Sequence, residues 1–204
     1  KGIVAEVMGR FEDAVNDSMK RGHVRVHVIV IPVARDQLIP ALLEGKGDII
    51  SAGMSITPER LTEVDFSIPS SKPLSEILVT GPSAPPLETI NDLSGQTIPV
   101  RLSSSYRMSL ENLNERLMAQ EKKPVVIEPM SELLEDDDLI EMVNAGLLPW
   151  AIVDEYKTEL WEGVFTNLTV RSDIVFREGG RIAWAVRKDS PRLAAAANAF
   201  LRKN

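Results

Sequence analysis

The strongest constraint on the fold is a helix-then-strand unit that occurs twice, once on either side of a proline-rich break. Leu38-Ile39-Pro40-Ala41-Leu42-Leu43-Glu44-Gly45 aligns with Leu139-Ile140-Glu141-Met142-Val143-Asn144-Ala145-Gly146, and Ile49-Ile50-Ser51 with Trp150-Ala151-Ile152. In each copy apolar residues at helical spacing end at a glycine, and a short apolar strand follows. Upstream, Ile31-Pro32 matches Glu128-Pro129 once an insertion is allowed in the acidic run Glu135–Asp138. Between the copies, Gly81-Pro82-Ser83-Ala84-Pro85-Pro86 is the most turn-rich stretch of the chain. Two half-sized α/β units joined by a linker are implied, although any two α–β units can share so short a match. The register pairs Gly53 with Asp154, each at the carboxyl end of its strand, where open α/β sheets bind ligands.

In chain order, the spacing of Val4, Val7, Met8, Phe11, Val15 and Met19 predicts an amphipathic helix over 3–20, ending near Gly22. Val24 to Val33 alternates and then runs apolar, which predicts a strand. A helix over 36–44 and the strand at Ile49 complete an αβαβ opening, the grammar of a parallel sheet with helices on its faces. Glu76 to Thr80 is a further strand. After the break, Asp92-Leu93-Ser94-Gly95-Gln96-Thr97-Ile98-Pro99-Val100 reads as a short helix, a turn and a strand. Ser103-Ser104-Ser105-Tyr106 then caps a helix over 108–120. The stretch 168–176 alternates, and a strand from Arg181, a turn at Ser190-Pro191 and a helix over 192–201 follow.

Composition narrows the function. The 204 residues suffice for one large domain or two small lobes, and no apolar run approaches a membrane span. A net charge of −7 argues against nucleic acid or an anionic membrane as partner. With no cysteine and two histidines, His23 and His27, neither a zinc site nor a thiol nucleophile is expected, and no cofactor is called for. The chain leads straight into a helical pattern, so an export signal is expected to have been removed or never present.

The stretch with the most chemistry is Gly47 to Arg60. A short apolar strand breaks into small and hydroxyl residues, and Thr57-Pro58 starts a helix with Thr57 as N-cap. Gly53, Ser55 and the free N–H groups of the strand end offer a polar ligand a place. Arg60, one turn into the helix, matches a carboxylate bidentately. On periodicity alone the same residues are a strand, a loop, a capped helix and a solvated arginine. Ser104 and Ser105, at the start of the second helix, could hold an anion or simply cap it. Asp154, closing the apolar strand Trp150–Val153, could be a ligand group or a helix cap.

Asp48, Thr57-Pro58-Glu59-Arg60 and Val64-Asp65-Phe66-Ser67-Ile68-Pro69 together resemble the signature segment of the family 3 solute-binding proteins, the type II periplasmic receptors for amino acids. Asp92-Leu93-Ser94-Gly95 resembles the opening of that family's second lobe, and the resemblance covers nearly the whole chain. It implies a two-lobed α/β periplasmic-binding-protein type II fold with mixed, mostly parallel sheets and two crossover strands. Lobe one is expected over 1–80 plus 177–204, lobe two over 85–171, and the hinge at 81–84 and 172–176. It also implies that Arg60, helped by Ser55, holds a ligand's α-carboxylate, that Asp154 takes its α-amino group, and that Gly53, Ser104 and Ser105 line an interlobe cleft. The family begins with a strand whose end carries an aromatic, and continues past the last helix. Both lie outside these 204 residues, so a cut chain or one module of a longer protein is expected.

Ser75-Glu76-Ile77-Leu78-Val79-Thr80-Gly81-Pro82, the run Glu135–Gly146 and Gly179-Gly180-Arg181-Ile182-Ala183-Trp184 resemble the receptor-like front domain of proteins similar to membrane-bound lytic murein transglycosylase F. That resemblance implies a periplasmic, monomeric, non-catalytic module sensing an amino acid or cell-wall peptide, with a catalytic domain as its partner. A receptor working with the permease of an ABC transporter is the alternative. An enzyme on the same fold would need an acid such as Glu59, Asp65 or Glu155 in a telling motif, and none has one. An effector domain of a transcription regulator would bring a DNA-reading helix pair, which these residues lack. The chain by itself is therefore expected to release no anhydro-muropeptides from murein sacculi, a chromatographic measurement that such release would overturn.

Overall fold

The computed structural model describes residues 2–19, 24–161 and 163–203. His23 and the expected helix end near Gly22 lie outside them. The chain divides into two compact units, residues 1–72 with 181–204, and residues 73–180.

The first unit is built on a three-stranded sheet. Strand β1 (Ile49–Ser55) and strand β2 (Asp65–Phe66) both pair antiparallel with β8 (Ile182–Val186), in the order β1-β8-β2. On one side, helix α1 (Ile3–Met19) and helix α7 (Pro191–Leu201) bury Met8, Phe11, Ala197 and Phe200 with Trp184. Phe11 meets Trp184 and Phe200 edge-on at 5.3 and 5.5 Å between ring centres, the arrangement the ring quadrupoles favour. A second cluster joins Leu42 of α2 (Leu38–Leu43) to Ile50, Met54, Val64 and Ala185. Helix α3 (Pro58–Glu63) follows β1, with Thr57 accepting a hydrogen bond from the Arg60 N–H at 3.2 Å.

The expected strand at Val24 to Val33 does not form. These residues are coil, and Val24, Ile29 and Ile31 are 62%, 78% and 59% exposed. Side chains of α1 have taken backbone groups a neighbouring strand would satisfy. Asn16 donates to the Val26 carbonyl at 2.9 Å and accepts from its N–H at 2.8 Å, and Glu12 accepts from the Val28 N–H at 2.7 Å. The sequence alternation was a true strand signal without a strand to pair with.

The second unit centres on β3 (Leu74–Thr80), which pairs antiparallel with β6 (Trp150–Asp154) on one edge and β7 (Thr169–Gly180) on the other. Successive side chains of a strand point to opposite faces, and here both faces are covered. Leu78 packs with Leu110, Leu113 and Leu117 of α4 (Ser105–Ala119), whereas Ile77 and Val79 pack with Leu139, Ile140 and Val143 of α5 (Asp136–Asn144). That is why the middle of β3, Ile77 to Val79, is apolar without a break. Strand β4 (Thr97–Val100) pairs parallel with β5 (Val126–Pro129), and helix α6 (Glu155–Trp161) follows β6.

The sheets are thus mixed, with parallel pairing confined to β4 and β5 among the described residues; the expected parallel majority is absent because the coil at 24–33 gives β1 no second neighbour and β3 pairs antiparallel with both β6 and β7. The upstream match of Ile31-Pro32 with Glu128-Pro129 fails, since the first pair is coil and the second lies in β5, but the helix ends of the repeat agree down to their hydrogen bonds. Gly45 and Gly146 both have φ of 76°, and each ends its helix with the same pair of contacts. Gly45 N–H reaches Leu42 and Lys46 N–H reaches Ala41; Gly146 N–H reaches Val143 and Leu147 N–H reaches Met142. This is the doubly bonded glycine cap.

The segments 81–84 and 172–176 both fall inside the second unit, and the chain passes between units at Lys72–Pro73 and Gly180–Arg181. The proline-rich stretch is packed rather than free. The Gly81 N–H donates to Pro149 at 2.9 Å, and Ala84 and Leu87 lie against the core. A β-carbon on Gly81 would sit 2.2 Å from the Val143 carbonyl oxygen at the end of α5. Gly81→Ala should therefore lower stability by about 1–3 kcal/mol in urea unfolding, the usual range for overpacking. Gly47→Ala, with no atom within 4 Å of the added carbon, should stay within about 0.5 kcal/mol.

Candidate functional site

Each unit presents polar groups at the carboxyl end of its repeated strand. In the first unit, β1 bulges between Ile50 and Met54, and Gly53 takes φ of 61° there, a left-handed conformation that costs other residues about 1 kcal/mol or more. The bulge is exposed at Gly53 and leads into buried Ser55 and Thr57. Arg60, held one turn into α3 by the Thr57 cap, folds its guanidinium back so that Nη1 donates to the Ser55 carbonyl at 2.7 Å. Gly53, Ser55 and Arg60 are thus gathered at one strand end. A guanidinium fixed through one nitrogen keeps a defined orientation, and its fork geometry suits a carboxylate.

In the second unit, Ser104 and Ser105 stand at the start of α4 in roles the sequence does not display. Ser104 donates its hydroxyl to the Arg101 carbonyl at 2.7 Å, and Ser105 donates to the Glu76 carboxylate at 2.8 Å. Ser103 binds an internal carboxylate: its N–H and hydroxyl donate to Glu132 at 3.1 and 2.5 Å. The anion-friendly end of α4 therefore already holds a glutamate at its Ser103 side.

Asp154 ends β6, is 5% exposed, and is surrounded by ionisable groups. Its cross-strand partner is Glu76, itself buried, hydrogen-bonded by Ser105 and Ser109, and 3.8 Å from the Arg177 guanidinium. Its backbone N–H donates to the Tyr106 hydroxyl at 3.0 Å, and that hydroxyl donates to Asp136 at 2.9 Å. Asp136 is the hub: it also accepts from Arg101 and from the Lys157 ammonium. Placement in the first turn of α5 adds the favourable end of the helix dipole. Burial works to raise the Asp136 pKa, but Lys157 and Arg101 outweigh it and hold the carboxyl below its ordinary value. Tyr106 goes the other way, its hydroxyl pushed well above the usual range by burial and by Asp136 and Asp154.

Asp154 is the carboxylate of this cluster whose nearest cation stands farthest off. Lys157 is its one ion-pair partner among the described residues, at 4.0 Å, beyond hydrogen-bonding distance, and is committed to Asp136. Burial pushes the Asp154 pKa up to about 6; Lys157 opposes the rise, and Glu76 and Asp136 add to it. A buried carboxylate whose nearest cation stands beyond hydrogen-bonding distance is a candidate binding group. The sequence singled out Asp154 but not Glu76, Arg101, Tyr106, Asp136 or Lys157. Lys157 lies three residues on from Asp154, one helical turn, which was the available signal.

Residues 2–204 match the bacterial extracellular solute-binding proteins, family 3. Membrane-bound lytic murein transglycosylase F of Saccharophagus degradans is 30% identical over 141 residues, covering 68% of this chain and 26% of that protein. The protein of the same name from Desulfosudis oleivorans is 27% identical over 184 residues, 88% of this chain and 37% of its own length. The chain thus spans about a quarter to two fifths of such relatives. A probable histidine-binding protein of Campylobacter jejuni is 35% identical over 102 residues, 49% of this chain and 38% of that one. Among solved structures, an ancestral arginine-binding protein bound to arginine superposes with a TM-score of 0.77 at 20% identity, covering 99% of this chain and 81% of that one. The substrate-binding protein of an amino acid ABC transporter gives 0.71 at 18% identity, with 97% and 80% covered. These likenesses give the α/β type II periplasmic-binding-protein fold. With its family match running from residue 2 to 204, the chain belongs to the bacterial extracellular solute-binding proteins, family 3.

Proposed function

We propose that this chain is a periplasmic binding module that captures an amino acid or short cell-wall peptide and serves as the sensing part of a murein lytic transglycosylase. The observation that carries this reading is Asp154, a buried carboxylate at a strand end with no hydrogen-bonding cation among the described residues. Arg60 with Ser55 takes the ligand's carboxylate, with Gly53, Ser104 and Ser105 lining the site, and Asp154 takes the ammonium. The relatives named as lytic transglycosylases, of which this chain spans 26% and 37%, support the link to such an enzyme. The likeness to the probable histidine-binding protein supports a second reading, an amino-acid receptor serving a permease.

Calorimetry with L-histidine, L-arginine and short cell-wall peptides tests the site. Loss of one partner from a buried, charge-assisted contact costs on the order of 2–5 kcal/mol. Arg60→Ala and Asp154→Ala should each weaken binding by roughly thirtyfold or more, whereas Glu155→Ala should change it little. Binding as tight as wild type in both alanine variants would refute the assignment.

The same group predicts a stability cost that only function explains. The folded-state pKa of Asp154, about 6, lies above its ordinary 3.8. Below the lower value both states are protonated and nothing is lost. As pH rises toward 6 the unfolded chain ionises first, so stability falls, and above 6 the cost is constant at about 3 kcal/mol. Asp154→Asn should therefore raise the melting temperature at pH 7.5, with the gain vanishing below about pH 4. A variant less stable than wild type at pH 7.5 would contradict this.

A further inference from the structure

Lys157 has no part in the binding scheme above, yet its ammonium is the cation nearest to Asp154 among the described residues. It reaches that position from the first turns of α6, three residues after Asp154, and is 19% exposed at the side chain. Its ammonium is anchored on Asp136, whose other partners are Arg101 from the segment after β4 and Tyr106 from α4. Three elements thus converge to hold one lysine 4.0 Å from Asp154, close enough to act through charge and too far to hydrogen-bond.

We propose that Lys157 is a positioning residue, an internal cation held by Asp136 whose charge keeps Asp154 ionised and ready for a ligand's ammonium. The proposal rests on Asp154 being the ligand's carboxylate partner. Among the charged groups facing Asp154, those other than Lys157 favour its protonated form, whereas the Tyr106 hydroxyl lowers its pKa as a neutral hydrogen-bonding group. Glu76 sits directly across the ladder on β3, and Asp136 approaches from α5. Arg177 of β7 lies against Glu76 rather than Asp154, and Arg101 against Asp136. Tyr106 of α4 places its hydroxyl at the Asp154 backbone N–H and spends its own proton on Asp136. Lys157 is the member of this set whose charge reaches Asp154 with the sign that favours the carboxylate. A fixed cation does this without filling the carboxylate's hydrogen-bonding positions, so Asp154 stays charged and open.

Burial already places Asp154 near the edge of ionisation, at a pKa of about 6. An opposite charge within about 4–6 Å lowers a carboxyl by roughly 1–3 units, so its removal carries Asp154 through neutrality. At pH 7 the carboxyl would then hold its proton and attract an ammonium only weakly. Lys157→Arg keeps the charge, and Lys157→Met removes it while leaving Asp136 bonded to Arg101 and Tyr106.

The decisive measurement needs no ligand. Carbon-13 carboxyl NMR titration of Asp154 in the 204-residue chain should give a midpoint near 6 in wild type. Lys157→Met, or Lys157→Gln if the methionine variant does not fold, should move it up by about one unit or more, and Lys157→Arg should restore it. A midpoint that is unmoved or lower without Lys157 overturns the proposal. A second arm measures L-histidine and L-arginine affinity against pH. Lys157→Met should bind roughly twofold more weakly at pH 7 for a one-unit rise in the midpoint and roughly tenfold for a two-unit rise, and should approach wild type near pH 8.5. Asp154→Asn separates the two readings. If it binds like wild type, the ligand role of Asp154 fails whatever the midpoint does; if it abolishes binding while the Lys157→Met midpoint stays put, the role of Lys157 alone fails.

Discussion

One carboxylate ties the second unit together. Asp136 accepts from Arg101, Tyr106 and Lys157, so the segment after β4 and helices α4, α5 and α6 all meet at the carboxyl end of β6. A carboxylate this deeply buried is stable only when its charge and its lone pairs are both met, and here both are. Arg101 shows the cost of building such a hub: its Nε and Nη1 are buried without a hydrogen bond, Nη1 resting 3.7 Å from Glu135. Buried ion networks contribute little net stability compared with apolar packing of the same volume. Their use lies in fixing geometry, and the geometry fixed here is the surroundings of Asp154.

The apolar scaffold explains why that geometry can be held. Strand β3 is covered on both faces, by α4 on one side and α5 on the other, so the two helices carrying Tyr106 and Asp136 are set by the same strand. Glu76 lies on that strand beside Asp154. Packing thus determines which charged groups meet, and the meeting determines the pKa of Asp154. The first unit uses a simpler device, in which a bulge glycine turns the strand end outward and a threonine cap aims Arg60 back at Ser55.

Local patterns revealed much of this. Helix caps at Thr57, Gly45 and Gly146, the apolar runs of β1, β3 and β6, and the repeat of one α–β unit are short-range features, each encoded by neighbouring residues. Long-range pairing was not legible. The alternation from Val24 to Val33 is a strand pattern, but whether a strand forms depends on a partner, and α1 side chains hold its backbone instead. Gly81 carried the opposite lesson. Next to three prolines it reads as a linker, whereas it is a glycine because the end of α5 passes within van der Waals reach. The hub was hidden for the same reason, since Arg101, Asp136 and Lys157 are far apart in the chain and each alone is an ordinary surface charge.

The charge balance around Asp154 is uneven in a way the packing dictates. Glu76 is hydrogen-bonded by Ser105 and Ser109 and lies 3.8 Å from Arg177, and Asp136 accepts from Arg101, Tyr106 and Lys157. Asp154 has the same Lys157 ammonium at 4.0 Å and no closer cation among the described residues. Burial is therefore the largest influence on it and carries its pKa up to about 6, against the pull of Lys157. One lysine thus serves two carboxylates at unequal distances, and the single helical turn between Asp154 and Lys157 sets that inequality.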